Sequence, residues 1–178
     1  MKVALEPIRQ KVKGDGLPDF FRLIRDREGS LDRIVFVCIG TDRSTGDALG
    51  PLTGTLLREA GYRHVIGTLD APCDASNLEV RLSEIPAGRI AVAIDACLGL
   101  PTSVGLFQVA DQPLMPGKSV GRFLPPVGRY SIAAIVNKDG PKQYWILQST
   151  SLHLVLAMAR DIVAAVQTVF PKGPRLPE

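Results

Sequence analysis

The chain has 178 residues, enough for one domain with a sizeable core, and its 46% hydrophobic and 22% charged residues are ordinary for a globular protein. A net charge of +3, with basic residues scattered and not interleaved with aromatics, argues against nucleic-acid binding. Three cysteines without a CxxC pair argue against a disulfide framework or a zinc knuckle, and for reduced thiols in a cytoplasm.

Glu6 and Pro7 stand where a secretory signal would need an apolar core. Residues 1–18 are polar and broken by Gly14, Gly16 and Pro18, which predicts a loose arm. Phe20, Leu23 and Ile24 then share one face of a short helix. Residues 1–32 are accordingly expected to form an N-terminal arm and short helix. A single α/β domain over 33–170 and a disordered tail over 171–178 complete the division.

Residues 33–39 include the apolar run Ile34-Val35-Phe36-Val37, a buried strand. The loop that follows carries Gly40, Gly46 and Gly50, the carboxylates Asp42 and Asp47, the guanidinium of Arg43, and the hydroxyls of Thr41, Ser44 and Thr45. A plain connection needs none of that chemistry. Pro51 suits the first position of the next helix, which makes Gly50 the cap and leaves Asp47 free in the loop. That helix ends at Gly61, with a second strand over 64–68.

The loop 69–77 leads to a helix marked by Leu78, Leu82 and Ile85, with Asp74 or Ser76 as its cap. Residues 88–94, unbroken in apolarity from Ile90 onward, predict a strand buried on both faces that ends at Asp95. Strand, helix, strand, helix, strand is the rhythm of a parallel sheet, whose ligand crevice lies at the carboxyl ends of the strands. Asp95 and the loop holding Asp47 leave from that same edge.

Further strands are predicted over 103–109, 130–136 and 144–147, with a long irregular segment over 111–129. Within it, Pro116-Gly117-Lys118-Ser119 lacks the earlier glycine of a phosphate loop. Ser149 or Thr150 is expected to cap a final helix whose Leu152, Val155, Leu156, Ala159, Val163 and Val166 pack on the sheet. His153, Arg160, Asp161 and Gln167 interrupt it, so it is not expected to span a membrane.

Two aspartates in a water-restricted cleft cannot both ionise cheaply. One can then activate a water while the other donates a proton to a carbonyl or leaving group. The same pair could instead hold a divalent cation. Neither His64 nor His153 falls near the crevice, which removes Ser–His catalysis. Cys38, Cys73 and Cys97 lie near strand ends but have no histidine partner, so they are expected to be small buried hydrophobes.

Three blocks carry a resemblance. Gly40-Thr41-Asp42-Arg43-Ser44-Thr45-Gly46-Asp47-Ala48-Leu49-Gly50-Pro51, Gly67-Thr68-Leu69-Asp70-Ala71-Pro72 and Ala93-Ile94-Asp95-Ala96-Cys97-Leu98-Gly99 resemble the short sporulation-associated relatives of the spore germination protease. A more distant likeness is to hydrogenase maturation endopeptidases, whose related fold places acidic residues at corresponding points to bind nickel. The resemblance implies a three-layer α/β sandwich around a twisted, mostly parallel sheet, of phosphorylase/hydrolase-like type. It implies a cytoplasmic, sporulation-associated endopeptidase with Asp47 and Asp95 as its catalytic pair. Asp42, Arg43, Ser44, Thr45, Gly46 and Asn77 would then bind substrate or support the pair. The implied partner is a protein or peptide substrate, small spore proteins among them, with room for a homo-oligomer. No cofactor is expected; the alternative is a divalent metal on Asp47 and Asp95. Those short relatives often carry a histidine where this chain has Asp74, which argues for a mechanism without an imidazole.

Overall fold

The computed structural model describes residues 7–116 and 123–172. Six strands form one sheet: β1 (Arg9–Val12), β2 (Ile34–Cys38), β3 (Val65–Ile66), β4 (Ile90–Gly99), β5 (Phe107–Ala110) and β6 (Tyr130–Lys138). Their spatial order is β1-β5-β6-β4-β2-β3. The four from β6 to β3 are mutually parallel, and β5 and β1 close one side antiparallel. The architecture is the expected α/β sandwich.

Alternation along the central strands builds two cores. Ile34, Phe36 and Cys38 of β2, with Val92 and Ile94 of β4, face one cluster. It is covered by α1 (Leu17–Glu28), α2 (Leu49–Glu59) and α5 (Leu152–Val169). Val35, Val37 and Ala93 face the other, covered more thinly by α3 (Leu78–Ser83) and by Leu114 and Val127. Length and composition alone would let α5 cross a membrane. Its stripe from Val155 to Val169 is instead buried in the first core, as in a core helix, while Leu152 and His153 stay exposed.

Several expectations are corrected. Part of the predicted arm is structural: β1 pairs with β5, and Leu17, Phe20, Phe21 and Ile24 are buried in the main core. No apolar periodicity announces β1, because all four of its residues are at least partly solvent-exposed. Residues 144–147 are not a strand but lie in a short helix, α4 (Gln143–Gln148). Both edges of β6 are already taken by β4 and β5, so a hairpin partner has nowhere to pair. Of residues 103–109, only those from Phe107 onward form a strand; Ser103 lies in a 3-10 turn and Gly105 turns the chain at φ +88°.

Caps differ as well. Ser151 caps α5, accepting the Leu154 N–H at 3.3 Å. The hydroxyls of Ser149 and Thr150 instead donate back to carbonyls of α4. Asn77, not Asp74 or Ser76, stands at the cap of α3. Within residues 111–129, Leu114 and Val127 form an antiparallel bridge with two 2.8 Å bonds. The phosphate-loop look-alike lies mostly outside the described residues, as does most of the predicted tail.

Candidate active site

The order of the strands creates the site. From β2 the chain crosses through α2 to β3 on one side, then returns through α3 to β4 on the other side of β2. The two crossovers pack on opposite faces, so the chain parts at the carboxyl ends of β2 and β4, where ligands bind in such sheets.

The last bond between them is the Ile39 N–H to the Ile94 carbonyl, 2.8 Å. Then β2 turns away, its Gly40 N–H donating to the Cys73 carbonyl at 2.9 Å. Gly40 has φ +146°, and a Cβ there would come within 2.0 Å of the Asp47 carbonyl oxygen. Only glycine fits. Thr41 N–H to Asp47 O (3.2 Å) and Gly46 N–H to the Leu147 carbonyl (2.8 Å) hold the loop. Helix α2 begins at Leu49, capped by Ala48, not by Gly50. Pro51 therefore takes the third helical position, where no intrahelical N–H bond is lost either. Asp47 remains a loop residue.

Asp95 does not end β4. The strand runs on to Gly99 because β6 continues beside it, with a register shift between Cys97 and Leu98. Asp95 accepts the Ala96 N–H on Oδ1 at 2.8 Å. It shares with Asp47 a cleft of about 510 Å³, walled also by Ile39, Gly40, Thr41, Arg43, Ser44, Asp74, Ala75, Ser76, Ala96, Pro116, Leu124 and Tyr144.

Burial sets the charge states. Loss of solvent pushes the Asp95 carboxyl well above the usual range; the Ala96 N–H opposes this, and the charge of Asp47 adds a smaller upward push. Burial also raises Asp47, though less freely, because the Ser44 hydroxyl favours its carboxylate. That hydroxyl is buried and lacks a partner within hydrogen-bond geometry, so it lies close to Asp47 without a fully formed bond. Burial would raise Asp74 too, but the Ser76 hydroxyl and N–H and the Arg43 guanidinium outweigh it and hold Asp74 low. Arg43 is 80% exposed and reaches Asp74 Oδ2 at 3.6 Å across the mouth.

Burial pushes the Cys73 thiol up to about 11 and that of Cys97 to about 12, and raises Cys38 further still. None is a thiolate at neutral pH. The cysteines are free, two fully buried and Cys97 partly so.

Of the residues singled out from sequence, Asp47, Asp95, Arg43 and Ser44 meet at the cleft. Asp42 points to solvent, and Thr45 and Gly46 shape the loop from behind. Asn77 braces the neighbouring loop, accepting the Asp74 N–H and donating to the Pro72 carbonyl. Sequence reasoning missed Asp74 and Ser76 as wall residues, although the Asp-x-Ser spacing signals their mutual bonds. It missed Tyr144 and Leu124, which carry no signal of their own.

Among the described residues, no three His, Cys, Asp or Glu side chains stand close enough to share a metal ion. Two carboxylates alone do not supply the nitrogen or sulfur donors that nickel and zinc favour. His64 sits beside Arg63 and Lys172 in a different cavity, and His153 is exposed on α5. The donor set does not fit a nickel site.

The backbone is similar to two solved structures. One is the NiFe hydrogenase maturation protease HycI from Thermococcus kodakarensis KOD1, with TM-score 0.55, 21% identity, and 84% of this chain and 99% of that one covered. The other is HybD, a NiFe hydrogenase maturation protease from Thermococcus kodakarensis, with TM-score 0.51, 14% identity, and 78% and 99% covered. At such identities the likeness concerns the fold. In sequence, the uncharacterized protein YyaC of Bacillus subtilis (strain 168) is 48% identical over 131 residues. That alignment covers 71% of this chain and 64% of YyaC, so the chain spans less than two thirds of that relative's length. The chain belongs to the DUF1256 family, whose model, described as a protein of unknown function, matches residues 18–165.

Proposed function

We propose that the chain is a cytoplasmic, sporulation-associated endopeptidase related to the spore germination protease, in which Asp47 and Asp95 divide the acid–base work. The observation that carries this reading is that both carboxyls open on one cleft, close enough for the charge of Asp47 to push up Asp95. The likeness of the fold to maturation proteases supports it, and three free cysteines suit the cytoplasmic setting.

Asp95, the more strongly raised, keeps its proton. Asp47 is ionised, helped by Ser44. Asp47 takes a proton from water, whose oxygen adds to the scissile carbonyl as Asp95 protonates the carbonyl oxygen. The tetrahedral diol collapses with cleavage of the C–N bond, the amine receiving the proton held on Asp47. Asp95 recovers its own from the diol.

Incubating Asp47→Asn and wild type with a proteome-derived peptide library, with cleaved bonds read by mass spectrometry, tests this. A loss of about 10²–10⁴-fold in turnover is expected. A variant with full turnover refutes the pair. Wild type that binds peptides without cutting them would make the cleft a binding site of a non-catalytic protein.

A further inference from the structure

Strand β4 is longer than its neighbour. Register pairs Ile34 to Cys38 of β2 with Ile90 to Ile94 of β4, and there β2 stops. Among the described residues, β4 from Asp95 to Gly99 is paired on one side only, with β6.

Successive residues of a strand aim their N–H and C=O at opposite edges. The bond from Ile39 N–H to Ile94 O assigns even-numbered residues to the β2 edge. The bonds from Arg129 N–H to Ala91 O and from Asp139 N–H to Gly99 O assign odd-numbered residues to the β6 edge. Ala96 and Leu98 therefore present their main chain to the edge that β2 has left. The Ala96 N–H is held by Asp95. Among the described residues, no strand pairs with β4 along that edge beyond Ile94, and no turn, loop or side-chain hydrogen bond reaches the Ala96 carbonyl or the main chain of Leu98.

Both residues are only half-exposed, where main-chain groups are normally paired. An open strand edge is a template for another chain. This one lies in the middle of the sheet and opens beside Asp47 and Asp95.

Building on the peptidase reading, we propose that the substrate binds as an extended, proline-free polypeptide segment that continues the place of β2. It would hydrogen-bond to Ala96 and Leu98 of β4 and so lay its scissile bond against the two aspartates. In strand addition the main chain supplies the affinity, and the side chains lining the cleft supply selectivity.

The test uses the full chain and a proteome-derived peptide library, scored both for cleavage and for retention on the protein. The best peptide is resynthesised with single N-methyl groups walked along its backbone. Loss of cleavage at every second position, about tenfold or more each, is expected, because only alternate N–H groups face β4. Leu98→Pro removes the open-edge donor without touching the β6 ladder, and kcat/KM should fall about tenfold below that of Leu98→Ala, which keeps the N–H. Cleavage without two-residue alternation overturns strand addition and leaves the peptidase standing. Retention without cleavage, but with the alternation, upholds strand addition and ends the peptidase reading. A library neither cut nor retained overturns both.

Discussion

Asp95 accepts the main-chain N–H of Ala96, the residue that follows it, at 2.8 Å. One carboxylate oxygen thus serves the backbone where β2 no longer does, while burial holds the group well above the ordinary carboxylate range. A group kept protonated against its intrinsic preference weakens the fold at neutral pH. Asp95→Asn preserves the acceptor and removes the ionisable group. Its activity should drop about 10²–10⁴-fold, while Tm at pH 7 rises on the order of 2–4 °C. Differential scanning calorimetry beside a cleavage assay checks both.

The same raised groups fix a pH trend. Asp47 and Asp95 bind protons more tightly in the folded than in the unfolded state. Their contribution to stability is fully present below the unfolded pKa of about 4 and is lost as pH rises through the folded values. Asp74 and Asp111, which are held low, act with the opposite sign. The difference in unfolding free energy between wild type and Asp47→Asn/Asp95→Asn cancels those two. Urea titrations should show the double variant gaining on wild type as pH rises from about 4 to 8.

Ser44 favours the ionised form of Asp47. Ser44→Ala should move the acidic limb of the kcat/KM profile to higher pH, since more Asp47 stays protonated. Because the hydroxyl is buried without a formed bond, the change should cost stability little, within about 0.5 kcal/mol. An unmoved acidic limb would separate Ser44 from the chemistry.

Gly40→Ala should be severe for a different reason. The added methyl would meet the Asp47 carbonyl oxygen at 2.0 Å, on a backbone at φ +146°. A loss of about 2–4 kcal/mol is expected, read as a lower urea midpoint.

Cleavage should survive dialysis against EDTA. The two aspartates lack a third His, Cys, Asp or Glu ligand among the described residues. Activity that disappears with chelator and returns with a stoichiometric divalent ion would reverse that inference.

What could be read in the chain beforehand follows from how local its cause is. Ile34 to Val37 and residues 90–94 are apolar on both faces, and the loop chemistry from Gly40 to Pro51 is contiguous, so the crevice and its two aspartates could be placed. The extension of β4 past Asp95 depends on β6, distant in sequence, and no local pattern announces it. β1 is held by β5 and by Asp111, which accepts the Ile8 N–H at 2.8 Å and pairs with Arg27 at 2.9 Å, not by apolar spacing. The short run Tyr144-Trp145-Ile146-Leu147 fits strand or helix equally, and only the filled edges of β6 decide.

The strand order also has a kinetic consequence. Asp47 and Asp95 become neighbours only after the chain has gone out to β3 and come back past β2, so no early local fragment contains the cleft. Assembly of the two-aspartate cleft during refolding must therefore wait for the slow, non-local docking of β4 on β2, and should trail the appearance of helical signal.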